Sequence, residues 1–233
     1  MQLFYLPEIA EGGRQLSEEE SMHCVRVLRM KEGDEISIVD GQGGFYTAAI
    51  VKADPKKCLF EIMQSNQEFG KRDYSIHMAI APTKNADRLE WFVEKAVELG
   101  VDQISLIRTE HSERKHTNTE RLKKIAISAM KQSVKAYLPV IHEVQPLKEF
   151  VAHTMESQKF VAHLEAGEKK HLKDALRPGG DYCVMIGPEG DFSPAEIGFA
   201  LKSNFIPVTL GESRLRTETA GIAACHILNL INE

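Results

Sequence analysis

The sequence has no apolar run approaching the length of a bilayer-spanning helix. Its opening stretch, MQLFYLPEIAEGG, lacks the basic flank and continuous apolar core of a secretion signal, so a cytoplasmic protein is expected. Cysteine is scarce. Cys24, Cys58, Cys183 and Cys225 are scattered and form no C-x-x-C, the pattern of reduced, partly buried thiols. The nine histidines are dispersed and no H-E-x-x-H occurs, so no metal site is expected. Three common catalytic signatures are missing: G-x-G-x-x-G after a strand, G-x-x-x-x-G-K-S/T, and G-x-S-x-G. There is no internal repeat and no low-complexity tract.

What is present is an ordinary globular balance. Of 233 residues, 42% are hydrophobic and 27% charged, enough apolar mass for one large or two small domains. The net charge of −5 argues against a nucleic-acid partner, but its distribution argues for one. Residues 1–70 carry 7 basic and 12 acidic side chains, residues 71–142 carry 13 and 9, and residues 143–233 carry 9 and 13. The middle third is thus a basic island in an acidic chain, a pointer to an anionic partner.

Residues 1–70 read as a small β module. Glu35–Val39 and Phe45–Val51 are strands joined by Asp40-Gly41-Gln42-Gly43-Gly44, which reads as a hairpin turn because no helix follows it. Cys58–Met63 is a further strand. Glu18–Met30 reads as a helix with Val27, Leu28 and Met30 facing inward and Arg26 and Arg29 outward. From spacing alone those arginines are solvated surface, with phosphate contact as the sharper alternative. The polar segment 65–73 marks a domain boundary, giving domains 1–70 and 71–233.

Beyond it, strands and helices alternate. Strands are expected over 74–81, 104–107, 139–144, 160–164, 182–186 and 205–210. Helices are expected from Asp87 (with Glu90 as its capping-box partner) to Gly100, over 120–137, from Pro146, from Ser193, and over 217–231. Lys124, Lys131 and Lys135 share one face of the 120–137 helix. Such alternation implies a parallel sheet covered by helices on both faces.

Two stretches organise this domain, IGPEGDF at 186–192 and LGESRLRTETAGIAA at 210–224. Each is a strand end, a glycine turn and a helix start, where free N–H groups attract anions or carbonyl-like acceptors. Singly, Gly187, Gly190 and Gly211 are tight turns. Together with Glu189, Arg214, Arg216 and Glu218 crowded at strand ends, they form a candidate ligand crevice.

These motifs make the chain recognisable. HCVRVLRMKEGDEISIVDGQG, the series Lys84, Arg88, Glu90, Lys95 leading into Glu98-Leu99-Gly100-Val101, Gln132-Ser133 with Leu138-Pro139, IGPEG and LRTETA resemble the RsmE family of 16S ribosomal RNA uridine-N3 methyltransferases, of the knotted SPOUT superfamily. The resemblance covers nearly the whole chain. It departs at Lys131, where the pattern has Glu, at Lys135, where it has Arg, and at Asp191, where it often has Gly.

The resemblance implies an N-terminal PUA-like RNA-binding β-barrel over 1–70 and an α/β methyltransferase domain with a trefoil knot over 71–233. It implies S-adenosylmethionine as cofactor and a homodimer. The cofactor pocket would draw on His163, Leu164, Glu165 and Ala166; on Ile186, Gly187, Pro188, Glu189 and Gly190; and on Leu210, Gly211, Glu212, Ser213, Arg214, Leu215, Arg216, Thr217, Thr219 and Ala220. Uracil N3 must lose a proton before it can attack, so for that reaction Arg216 is expected to stabilise the anion with Arg88 as an RNA-side helper, and Glu189 or Glu218 to orient that arginine, accept the proton or only brace the loops. RNA capture would fall to Arg26, Arg29, Lys124, Lys131 and Lys135. Two alternatives stay open: a non-catalytic RNA-binding or ribosome-assembly protein, and a knotted methyltransferase acting on ribose 2′-O.

Overall fold

The structure is a computed structural model that describes residues 2–114 and 116–233. The chain divides into two compact units, one of residues up to Lys71 together with Ile127–Leu138, the other of Arg72–Ala126 and Pro139–Glu233.

The first unit holds a four-stranded sheet in the order β1-β2-β3-β4, formed by β1 (Leu3–Tyr5), β2 (Glu35–Val39), β3 (Phe45–Lys52) and β4 (Leu59–Asn66). β1 runs parallel to β2, and the other pairs are antiparallel. Alternate residues point inward, so Ile36, Ile38, Ala48, Ile50 and Phe60 join Phe4, Leu16 and Cys24 in one core. The glycine-rich segment after β2 is a turn, as expected. The Asp40 carboxylate organises it, accepting N–H bonds from Gln42 at 2.7 Å and Gly44 at 2.9 Å.

Helix α1 covers only Glu18–Met22, capped by Ser17, and His23–Val27 then forms a π turn. The Leu28 N–H reaches back five residues to His23 O. That inserted residue rotates the register, so Val27 is 64% exposed rather than inward, while Cys24 takes the buried position. Leu28 and Met30 do pack against the core.

The second unit holds a seven-stranded sheet, every pair parallel, in the order β7-β6-β5-β10-β8-β11-β9. Its strands are β5 (Tyr74–Ile80), β6 (Gln103–Arg108), β7 (Val140–Pro146), β8 (Gln158–Ala162), β9 (Lys170–His171), β10 (Gly180–Ile186) and β11 (Ile206–Thr209). Its helices are α2 (Ala86–Leu99), α4 (Leu147–His153), α5 (Leu172–Ala175), α6 (Pro194–Lys202) and α7 (Thr217–Asn232), while α3 (Thr119–Gln132) is divided between the units, its residues from Ile127 on belonging to the first. β9 and α5 were not expected from the sequence, since neither is long enough to carry a period.

Both sheet faces are covered. Ala79, Cys183 and Met185 pack with Leu147, Phe150 and Val151 of α4 and Ile197 and Ala200 of α6. On the other face α7 lies against α2 so closely that a Cβ at Gly221 would stand 2.5 Å from the Phe92 ring and 3.3 Å from Ile80.

Two further helix boundaries differ from expectation. α2 is capped by Asn85, whose side chain accepts the Asp87 N–H at 2.9 Å, and not by Asp87. Glu90 makes no capping box; its carboxylate takes both Arg121 Nε and Nη2, at 2.6 and 2.8 Å. α3 ends at Gln132, five residues early, because Val134 adopts a left-handed φ of 56°. Lys135 is therefore not on the helix face that carries Lys124 and Lys131.

Candidate functional site

Strands β8, β10 and β11 end side by side, and the three segments that leave them wall a cavity of about 370 Å³. This is the crevice outside the carboxyl ends of a parallel sheet, where open α/β folds bind ligands. From β8 come Ala162, His163 and Leu164; from β10 come Ile186, Gly187, Pro188, Glu189 and Asp191. From β11 and the turn after it come Val208, Thr209, Leu210, Gly211, Ser213, Arg214, Leu215 and Arg216, with Thr217 and Ala220 of α7 and Arg88 of α2 closing the wall.

Most of the expected pocket is thus brought together. Glu165, Ala166, Gly190, Glu212 and Thr219 are not in this wall. Gly190 lies under His111, whose Cβ would be 3.1 Å from any Cβ added there. Thr219 borders a second recess of about 340 Å³ with Asp87, Arg88, Trp91, Arg216 and Glu218. Arg88 and Arg216 are common to both hollows.

The loops are held by specific bonds. Asp191 sits at φ 61°, and its carboxylate accepts the Leu164 N–H at 2.7 Å and its neighbour Phe192 N–H at 2.8 Å. One side chain thereby ties the loop after β10 to the segment after β8. His111 donates from Nδ1 to the carbonyls of Gly190 and Asp191, each at 3.0 Å, and that bond to Asp191 leads the causes that raise its pKa. Gly211 has φ 128°, which a side chain would strain, and its N–H and C=O close a turn on Thr209 Oγ1 at 3.2 and 2.8 Å. Ser193 caps α6 in a full capping box with Glu196, and Glu196 Oε1 also accepts the Glu110 N–H at 2.8 Å.

Several polar groups here lack partners. Both His163 ring nitrogens and Glu218 Oε2 are buried with no hydrogen bond among the described residues. Burial, then the charge of Lys169, pushes the His163 imidazole below its ordinary value, so it is neutral. Glu218 is 6% exposed in the first turn of α7; its Oε1 lies 3.7 Å from Arg88 Nε. Arg216 is the N-cap residue of α7, exposed, and makes no ion pair among the described residues. Glu189 is exposed and accepts the Lys84 backbone N–H at 3.1 Å.

A cavity of this size with apolar walls, orphaned polar atoms and an uncommitted guanidinium at its rim is built to hold a small ligand and to stabilise negative charge beside it. Sequence reasoning missed Val208 and Thr209, which extending the loop by two residues would have caught. It also missed His111, whose bond to the loop spans 79 residues of sequence and left no local signal.

Comparison with known proteins places the chain in a family. A model described as "RNA methyltransferase domain" matches residues 71–229. This protein belongs to the RNA methyltransferase family. A second model, described as "RNA methyltransferase PUA domain", matches residues 16–63. A solved structure from Porphyromonas gingivalis, described as "probable rRNA-methyltransferase", is 44% identical, with a TM-score of 0.94 over 100% of this chain and 98% of the other. The ribosomal RNA small subunit methyltransferase E of Neisseria gonorrhoeae, solved with S-adenosyl methionine bound, is 28% identical, with a TM-score of 0.88 over 100% and 98%. The enzyme of the same name from Bacillus subtilis is 28% identical over 232 residues, 92% of this chain and 89% of the relative.

The RNA-binding candidates are distributed differently from expectation. Arg26 and Arg29 are exposed on the π turn and just after it, in the first unit. Lys124 is exposed, whereas Lys131 Nζ is bound to Glu20 Oε1 at 2.5 Å and only 25% exposed. The basic helix face is therefore partly neutralised. No helix among the described residues is long and apolar enough to cross a membrane.

Proposed function

We propose that this protein methylates N3 of a uridine in 16S ribosomal RNA, using S-adenosylmethionine. The observation that carries this reading is the cavity at the ends of β8, β10 and β11, with Arg216, which makes no ion pair among the described residues, at its mouth. The ligand-bound relative of the same fold and the names of the relatives support the cofactor and the RNA. The residues fit such a cofactor: apolar Ile186, Leu210 and Leu215 line the cavity and would hold its apolar surface, and the His163 nitrogens, without partners among the described residues, would pair with its polar groups. Bound there, S-adenosylmethionine supplies a methyl group on a positive sulfonium centre.

The chain's own residues do the rest. Arg216 faces the uracil and stabilises the negative charge that forms as N3 loses its proton. Glu218 receives that proton on the oxygen that has no other partner, while its other oxygen holds Arg88. Glu189 acts as a brace, because its carboxylate is engaged by the Lys84 N–H. The apolar walls keep water from the reacting atoms. The loops around the cavity form a trefoil knot, with β10 inserted between β5 and β8 as the supporting feature. The N-terminal domain, residues 1–70, captures RNA through Arg26 and Arg29. The enzyme works as a homodimer in the cytoplasm.

The test is methyl transfer to small ribosomal subunits lacking the modification, with mass mapping of the product nucleotide. Methylated uracil at N3 supports the reading. A 2′-O-methyl product, or no product despite S-adenosylhomocysteine binding, overturns it.

A further inference from the structure

The amino-terminal edge of the seven-stranded sheet, opposite the cavity described above, carries a second hollow of about 460 Å³. His77, Ser105, His142, His153 and Glu156 are among the residues that line it. Cys183 lies fully buried beside it on β10. The donor atoms of His77, Glu156 and Cys183 all fall within 4.8 Å of one another. They come from three separate chain segments: β5, the turn before β8, and β10.

The hydrogen bonds define how these groups are presented. His77 Nδ1 meets the Glu156 carboxylate, which can only accept, so the proton sits on Nδ1. His77 Nε2 lies 2.8 Å from Ser105 Oγ. The side chains of His77 and Glu156 are 8% and 13% exposed. Burial works to raise the Glu156 carboxyl, and the His77 hydrogen bond and charge outweigh it, leaving the group below its usual value. Burial pushes the Cys183 thiol well up. His142 donates from Nε2 to Gln103 Oε1 at 3.1 Å, which leaves its Nδ1 lone pair free, and its ring centroid is 5.9 Å from that of His77. Imidazole, carboxylate and thiol therefore converge in one nearly dry place.

We propose that His77, Glu156 and Cys183 form a site for one divalent cation of borderline softness, with zinc the best match. The donor set of one nitrogen, one oxygen and one sulfur is a zinc set; magnesium and calcium prefer oxygen alone. Tetrahedral zinc holds its donors roughly 3.3–3.8 Å apart, within reach of this cluster. The cation displaces the Cys183 thiol proton to solvent, and the single His77 ring proton passes from Nδ1 to Nε2, which frees the Nδ1 lone pair for the ion. Two anionic ligands and one neutral imidazole then cancel the ion's charge, as a site shielded from water requires. His77 Nε2–H donates to Ser105 Oγ and fixes the ring as an outer partner. A water in the hollow completes four-coordination. The bound ion would pin β5, β10 and the entry to β8 together.

The experiment is titration of the full-length, chelator-treated protein with Co²⁺, read by absorption. One equivalent should develop a near-ultraviolet thiolate-to-cobalt charge-transfer band. Cys183→Ser should abolish that band and Cys58→Ser should leave it. Absence of the band in the unmodified protein, or its persistence in Cys183→Ser, overturns the proposal. Should Cys183→Ser fail to fold by circular dichroism, Glu156→Gln replaces it. Calorimetric zinc affinity lowered about tenfold or more in Glu156→Gln supports the site, and unchanged affinity overturns it.

Discussion

Asp191 occupies a backbone position with φ 61°, where a side chain without local hydrogen bonds is strained. Asp tolerates it because its own carboxylate takes the Phe192 N–H, and the second oxygen reaches across to Leu164. The family pattern often has Gly here, which meets the conformational demand but cannot make the tie. Asp191→Ala removes both bonds and should destabilise the protein by about 1–3 kcal/mol, measured by urea unfolding. Asp191→Gly should recover part of that stability yet still bind S-adenosylhomocysteine more weakly than the parent in calorimetry. Arg216 is the opposite case, a residue that the described structure does not use. Arg216→Ala should lower methyl transfer by about 100-fold or more while cofactor affinity stays within a few-fold; near-normal turnover would remove it from the mechanism. His163 adds a pH dependence. Its imidazole is held below 6.5 in the folded protein by burial, so its contribution to stability is complete above 6.5 and is lost as pH falls through the depressed value. Thermal midpoints should fall on acidification below neutrality, and His163→Asn should show a shallower fall.

Among the elements, the α2–α7 contact is a tight constraint. Gly221 allows α7 to lie on Phe92, and any larger residue meets that ring at 2.5 Å. Gly221→Ala gains helix propensity in isolation, yet it should destabilise the protein by about 1–3 kcal/mol because the fully buried Phe92 has nowhere to move. A stabilised variant in thermal unfolding would show that the helices can part. The start of α6 was legible: Ser193, Pro194 and Glu196 stand in the sequence as a capping box and form one. The start of α2 was not, because Asn85 and Asp87 are both competent caps and only the chain path chose between them. The end of α3 was misjudged for a similar reason. Its amphipathic period continues to Tyr137, but residues 133–138 leave the helix and Gly43 N–H donates to the Ala136 carbonyl at 3.0 Å.

For the molecule as a whole, charge placement decides how RNA would be held. Lys131 is already engaged by Glu20, so Lys131→Ala should leave RNA affinity and its salt slope nearly unchanged. Arg26→Ala with Arg29→Ala should lower affinity for all RNA sequences. The salt slope should also shrink by about 1 for each phosphate that is no longer neutralised, read by filter binding across salt concentrations. An equal effect of both changes would mean that the Glu20 bond opens on binding.

The sequence by itself determined the parallel α/β architecture, because the strand and helix patterns alternate and the apolar stripe of α2 buries Leu89, Phe92, Val93 and Ala96. It also determined the two glycine turns, since Gly211 at φ 128° and Gly190 beneath His111 are positions a side chain would strain or crowd. Tertiary structure alone decided which groups meet. Strand order put β10 between β5 and β8, and with it the Asp191–Leu164 tie, the His111 clamp and the convergence of His77, Glu156 and Cys183. Those pairings join residues far apart in the chain, and local periodicity carries no information about them. The π turn after α1 belongs to the same class, since one inserted residue moved Val27 to the surface and Cys24 to the core.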